Sequence, residues 1–271
     1  MREPLANVNG TELPPEFADA VSEIRARLVL IGRRFHFFST TGSTNDVAAR
    51  HAANPDYEGA VFVADAQTSG RGRRGRTWFS PPGAGLYVST ILRPARSLEP
   101  ERATLLTTIA AGVGLAEGVT NATGLTPLLK WPNDLYIAKR KLAGILAEGI
   151  GDAVVLGYGI NISTASFPPE LGDRATSLET ELGRSIDRVR VFVETLAALA
   201  NRYDDLLAGR FDAILDAWRA LAPVAHGSRV SWTTLAGPRE GTTCGVDNQG
   251  ALLVNTSAGV VRIVAGELAW L

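Results

Sequence analysis

The sequence predicts an α+β fold, a large domain of strands and helices with a small β domain attached at its C-terminal end. Three observations carry this expectation. From Phe35 onward, short apolar strands alternate with helical periods, as in a layered core. Two long helical periods over residues 188–221 close that region. After Pro223 the composition changes to short strands split by turn residues, the pattern of a small barrel.

Residues 14–30 follow a proline pair and space Phe17, Val21, Ile24 and Leu28 three and four apart, which predicts one amphipathic helix. Phe35–Ser39 is a predicted strand, Asp46–Ala53 a short helix, Ala60–Ala66 and Leu86–Leu92 further strands. Between the last two lies Ser69–Gly85, rich in Gly, Arg and Pro. A long helix from Pro100 to about Asn121 carries Leu105, Ile109, Val113 and Ala116 on one stripe. Pro127–Trp131, Lys141–Glu148 and Ala153–Asn161 then read as strands, followed by helices at Arg188–Leu207 and Phe211–Leu221. In the C-terminal part, Arg229–Trp232, Thr242–Val246, Ala251–Asn255 and Val260–Val264 are strands separated by Gly-Pro, Asp-Asn-Gln-Gly and Ser-Ala-Gly turns. The expected organisation is an N-terminal helical segment (1–34), a main domain (35–222) and a β domain (223–271).

Composition narrows the function. With 27 Lys+Arg against 28 Asp+Glu the 271-residue chain has a net charge of −1, unlike the basic excess of a dedicated nucleic-acid binder. A single cysteine, Cys244, excludes an internal disulfide or a multi-cysteine zinc site and reads as a small core residue. Residues 1–17 hold no apolar signal region, and long uncharged runs such as 103–116 and 153–169 fall short of the roughly 20 residues that span a bilayer. A cytoplasmic protein without a membrane partner is expected.

Four segments stand out chemically. Ser69-Gly70-Arg71-Gly72-Arg73-Arg74-Gly75-Arg76, with Trp78 beyond it, places four guanidiniums among glycines. Such a loop can close over an anion, although a solvated basic loop or an RNA-binding tract has the same composition. Lys130-Trp131-Pro132-Asn133-Asp134 reads as a strand running into a turn, and Lys141 stands at the mouth of an apolar run where its ammonium can face an anion. Asp134 is a candidate base or metal ligand, or simply a turn cap. Gly157-Tyr158-Gly159-Ile160-Asn161 ends a strand, where a bulge or tight turn is the ordinary reading. Finally, Thr40-Thr41-Gly42-Ser43-Thr44-Asn45-Asp46 precedes a helix, where helix capping competes with binding of a small polar ligand. Gln67 can donate to and accept from an amide-like group.

Taken in order, Gly-Ser-Thr-Asn, Gln67, Gly-Arg-Gly-Arg-Arg-Gly-Arg-x-Trp, Lys-Trp-Pro-Asn-Asp-Leu, Lys-Leu-Ala-Gly-Ile-Leu-Ala-Glu and Gly-x-Gly-Ile-Asn resemble the biotin protein ligase family. The resemblance runs from about Phe35 to Asn161. It implies a mixed sheet flanked by helices, the class II synthetase-like biotin/lipoate ligase fold, with a C-terminal SH3-like β-barrel. No segment here matches the DNA-binding domain of bifunctional members, so the monofunctional class and no DNA partner are expected. Tyr158 departs from the pattern, which has a smaller residue between the glycines.

The resemblance implies an enzyme that uses ATP, magnesium and biotin, forms biotinyl-5'-AMP, and transfers biotin to a lysine of a biotin carboxyl carrier protein. Ser43, Thr44, Asn45, Gln67, Gly70, Arg71, Gly72, Arg73, Lys141 and Gly144 would bind biotin. Arg73, Arg74, Arg76, Trp78, Lys130, Asn133, Lys141, Gly159 and Asn161 would face ATP or the adenylate. Lys141, Arg73 and Asp134 would carry the chemistry, with magnesium held by the ATP phosphates. Family members pair through their sheets to different extents, which leaves a weak homodimer open. The rivals are a lipoate protein ligase and a non-catalytic biotin or adenylate sensor.

Overall fold

The computed structural model describes residues 10–234, 237–266 and 268–271. Part of the N-terminal expectation, residues 1–9, lies outside them. The elements in chain order are α1 (Pro15–Glu23), β1 (Phe35–Thr41), α2 (Thr44–His51), β2 (Val61–Gln67), β3 (Gly85–Leu92), α3 (Pro100–Thr123), β4 (Leu128–Lys130), β5 (Asp134–Ile137), β6 (Arg140–Ile150), β7 (Ala153–Asn161), α4 (Leu178–Leu182), α5 (Arg188–Leu207) and α6 (Phe211–Leu221). They are followed by β8 (His226–Thr234), β9 (Gly237–Val246), β10 (Leu252–Thr256), β11 (Gly259–Ile263) and β12 (Ala269–Trp270).

A seven-stranded sheet of order β1-β2-β3-β7-β6-β5-β4 forms the main layer. It is mixed: β1 and β2 run parallel and the remaining neighbours antiparallel. Side chains alternate across a strand, so each strand serves two layers. Val61 and Val63 of β2 join α1, α3, α5 and α6 in the larger core, while Phe62 and Ala64 face α2 in a second one. Helices α3 and α5 approach closely because Gly118 and Gly114 offer no side chain there. A Cβ on Gly118 would lie 2.3 Å from the Thr195 Cα, and one on Gly114 3.0 Å from the Leu199 Cα.

The second sheet, of order β11-β10-β9-β8-β12, is antiparallel throughout. Its buried Val230, Val246, Leu252 and Val254 continue the larger core. The Trp131 Nε1 donates to the Gly250 carbonyl at 3.0 Å, tying the two sheets together.

Several expectations are corrected. The α1 helix stops at Glu23 and the chain tightens into a 3-10 turn at Arg25–Arg27, although all four predicted apolar side chains are buried. Leu105 of α3 is exposed, and the helix is instead buried on most of its other faces between the sheet and α5. By length and composition α3 is apolar enough to cross a membrane, and 72% of its most apolar stretch is buried inside the fold. The predicted turn at Pro132–Asn133 is present, but Asp134 already opens a strand, β5; the pair Gly237–Pro238 begins β9, and β12 adds a fifth strand to the second sheet. Cys244 is half-buried in β9 and is not a core residue.

Close packing at Gly118 has a measurable cost. Gly118→Ala should lower unfolding free energy by about 1–3 kcal/mol through overpacking against backbone. Gly112→Ala, whose new Cβ would sit at an ordinary 3.5 Å from Leu129, should be neutral or stabilise by up to about 1 kcal/mol. Urea denaturation of both variants checks the contrast.

Candidate active site

A cleft of about 610 Å³ opens on the α2 side of the sheet, over β6 and β7. Its floor follows from the register, which sets Gly144 opposite Gly159 and Leu146 opposite Gly157. The Trp78 indole lies on this floor. A Cβ on Gly159 would come 2.3 Å from the indole Nε1 and one on Gly144 would come 3.0 Å from the ring. The glycines therefore mark a close approach in a regular strand, and the expected bulge is absent. Tyr158 points to the opposite face, into the core beside α5, and burial pushes its phenol pKa up. Its size is thus no obstacle to the cleft.

One end of the cleft is built from the start of α2. Helix capping does not account for these residues: Ser43 makes no side-chain cap bond, and Ser43, Thr44 and Asn45 are all buried. Gln67 Oε1 accepts from the Thr44 amide at 2.9 Å and its hydroxyl at 3.2 Å, while Gln67 Nε2 donates to the Ser80 Oγ at 2.9 Å. The result is a small polar pocket with donors and acceptors fixed in place.

The Gly/Arg loop, residues 69–78, forms the lid side. It folds on itself through Gly72 N to Arg76 O (2.7 Å) and Trp78 N to Gly70 O (2.8 Å), with Arg74 at a positive φ of 57°. Repulsion among its arginines is offset by acceptors: Arg71 pairs with Asp46 and Glu148, and Arg73 Nη1 donates to the Asn133 Oδ1 at 3.0 Å. Asn133 is itself locked by bonds between its Nδ2 and the Ile145 carbonyl (2.7 Å) and between the Ile145 amide and its carbonyl (2.9 Å).

At the other end three charges meet. Lys141 Nζ lies 2.7 Å from the Asp134 Oδ1 and 5.5 Å from the centre of the Trp78 ring. Lys130 Nζ stands over Tyr136 (4.9 Å) and Trp270 (5.2 Å), so β12 of the second sheet closes this corner. Burial lowers the Lys130 pKa; Asp134 opposes this and Lys141 adds to it. Burial and the Asp134 charge push the Tyr136 phenol up to about 12. Asn161 Nδ2 donates to the Thr176 carbonyl at 2.9 Å, fastening residues 174–176 beside β6.

Every residue predicted for the site lines this cleft except Gly70. Gly70 sits behind it, where a Cβ would come 2.3 Å from the Trp78 carbonyl oxygen. Sequence reasoning missed Tyr136, Trp270 and the wall at 166–168 and 171, which arrive from separate parts of the chain. Glu148 stood within a recognised motif, yet only the fold reveals its partners.

A mixed sheet whose cleft sets a polar pocket beside converging cations has the chemistry to hold a small polar, anionic ligand. The model of the biotin/lipoate A/B protein ligase family matches residues 37–164. Over 256 residues the chain is 36% identical to the bifunctional ligase/repressor BirA of Bacillus subtilis, covering 91% of this chain and 78% of that protein. It is 35% identical to the biotin--[acetyl-CoA-carboxylase] ligase of Mycobacterium tuberculosis, over 87% of this chain and 88% of that one. The biotin protein ligase of Aquifex aeolicus, solved with biotin and ATP, superposes with a TM-score of 0.75 at 29% identity, covering 88% and 99% of the two chains. The chain belongs to the biotin/lipoate A/B protein ligase family.

The charge cluster predicts opposite shifts in one titration. The chain has three lysines, 130, 139 and 141, so their ε-carbons are resolvable by NMR. Asp134→Asn should lower the Lys130 pKa further by removing an attraction. Lys141→Met should move it back toward about 10.4 by removing a repulsion. A Lys130 pKa that ignores both changes contradicts the arrangement.

Proposed function

We propose that this protein is an ATP-dependent biotin protein ligase that activates biotin as biotinyl-5'-AMP and transfers it to a lysine of a biotin carboxyl carrier protein. The observation that carries this reading is the meeting, in one cleft, of the Thr44–Gln67 polar pocket with Arg73, Lys130 and Lys141. The pocket suits a cyclic urea, which both donates and accepts hydrogen bonds. The cations suit a carboxylate and a phosphate that must be brought together against their mutual repulsion.

In the first step a biotin carboxylate oxygen attacks the α-phosphorus of ATP, and the bond to pyrophosphate breaks. The carboxylate is already ionised near neutral pH, so no base is needed. Lys141 and Arg73 neutralise the charge that develops there, with Arg74, Arg76 and Lys130 along the phosphates. Trp78 covers the adenine side with Asn133, Gly159 and Asn161; among the described residues nothing accepts from its buried Nε1, which suits a ligand acceptor. Ser43, Thr44, Asn45 and Gln67 hold the ureido ring, and the backbone of residues 70–73 closes over it beside Gly144.

In the second step the carrier lysine amine attacks the acyl carbon and AMP leaves. A free lysine is almost wholly protonated at neutral pH, and Asp134 is the base we assign to it. Among the described residues no three His, Cys, Asp or Glu side chains cluster as a metal cage. That donor set fits magnesium held chiefly by ATP phosphate oxygens, where it would neutralise phosphate charge. Residues 35–222 form the catalytic domain in this reading, and 223–271 an SH3-like domain that assists nucleotide and carrier.

Incubation with ATP, magnesium and either biotin or lipoate, followed by mass spectrometry of the bound product, tests the assignment. Retained biotinyl-adenylate supports it, whereas lipoyl-adenylate alone would identify a lipoate ligase. Single-turnover assays then separate the half-reactions. Lys141→Ala should slow pyrophosphate release by about two to three orders of magnitude, the loss of roughly 3–4 kcal/mol of transition-state stabilisation. Asp134→Asn should still release pyrophosphate but transfer biotin poorly, with the defect easing as pH rises and free amine accumulates. If Asp134→Asn blocks pyrophosphate release as fully, Asp134 serves the first step through Lys141.

A further inference from the structure

We propose that Glu148 is a positioning residue that latches the Gly/Arg loop, through Arg71, onto the polar pocket of Thr44, Asn45 and Gln67. The proposal rests on that pocket being the biotin site.

Arg71 divides its fork between two carboxylates from different elements, Asp46 of α2 and Glu148 of β6. The second Glu148 oxygen, Oε2, accepts from the Asn45 Nδ2 at 2.9 Å. On its other side the Asn45 Oδ1 accepts from the Ser89 Oγ at 2.6 Å, and that hydroxyl lies 2.8 Å from the Thr44 Oγ1, whose proton is free to serve this contact because the Thr44 amide already donates to the Gln67 Oε1 at 2.9 Å. One hydrogen-bonded path therefore runs from the loop to the pocket: Arg71, Glu148, Asn45, Ser89, Thr44, Gln67. Gly157 makes it possible, because a Cβ there would sit 1.9 Å from the Asn45 Oδ1.

A lone exposed ion pair contributes little. Here the Glu148 side chain is about one-third exposed, with both carboxylate oxygens committed, and the pair belongs to a network whose inner members are buried. The loop is otherwise closed on itself and is also fastened by Arg73 to Asn133 at the far end of the cleft. Arg71 and Arg73 thus pin the loop at two separate points, and Glu148 couples the first pin to the polar pocket. Losing the latch raises the cost of holding the pocket closed without altering the groups at the reacting phosphorus.

The test compares the full chain with Glu148→Gln, Glu148→Asp, Arg71→Ala and the Arg71→Ala, Glu148→Gln double variant. Trypsin cleavage within residues 71–76, measured without ligand, should be several-fold faster in Glu148→Gln at an unchanged melting temperature. In pyrophosphate release the biotin KM should rise by a factor of about five to ten, the size of one hydrogen bond's net contribution, with kcat within about twofold. Glu148→Asp should recover part of this, and the double variant should be no worse than Arg71→Ala alone. Equal cleavage rates in Glu148→Gln and the parent, or independent effects in the double variant, would overturn the latch. A parent protein that forms no biotinyl-adenylate would overturn the reading of the pocket instead, a result distinct from unchanged cleavage in an active enzyme.

Discussion

Strand β7 is buried along its whole length, and that constraint orders the rest of the molecule. A strand with no solvated face must find a packing partner on both sides. On one side Leu156, Tyr158 and Ile160 are covered by the long helices. On the other, Val155 meets the core under α2, and beyond it the strand turns to glycine at 157 and 159, so that Asn45 and then Trp78 lie directly on the backbone. The cleft is the part of the sheet where side chains have been removed to admit something else. A substitution of either glycine would fill it from below.

Charge explains the remainder of the site. The net charge of the chain is −1, yet Arg71, Arg73, Arg74, Arg76, Lys130 and Lys141 all line one cleft. Such a concentration needs local acceptors, and they come from three places in the fold: Asp46 of α2, Glu148 of β6, and Asn133 and Asp134 where β5 begins. Aromatic faces do the same for Lys130. Anionic substrates would compete with these internal partners. Under the proposed function, binding at this site would be an exchange of acceptors, with the cations held beforehand by their internal partners.

The second sheet is more than an appendage. Trp131 reaches from the β4–β5 turn to the Gly250 carbonyl, and Trp270 returns to stand over Lys130. Two indoles, one from the middle of the sequence and one from near its C-terminus, thus fasten the lysine-bearing hairpin to the C-terminal strands.

Much of this was legible in one dimension. Strands β1, β2, β3 and β7 and helices α3, α5 and α6 follow from apolar periodicity, because burial on one or two faces leaves a repeat in the sequence. The motifs are legible for a related reason: Ser43–Asn45, the Gly/Arg loop, Lys130–Asp134 and Lys141–Glu148 each keep a local composition that ordinary packing does not require. Strand β5 leaves no such trace, since four residues carry too little periodicity to stand out beside the neighbouring Pro-Asn-Asp turn. What only the tertiary structure decided is pairing. Arg71 and Glu148 stand 77 residues apart, and Trp270 lies far beyond Lys130 along the chain. No local propensity links them; their contacts exist because strand register and helix packing bring separate segments to one place, a three-dimensional condition that leaves no periodic trace in the sequence.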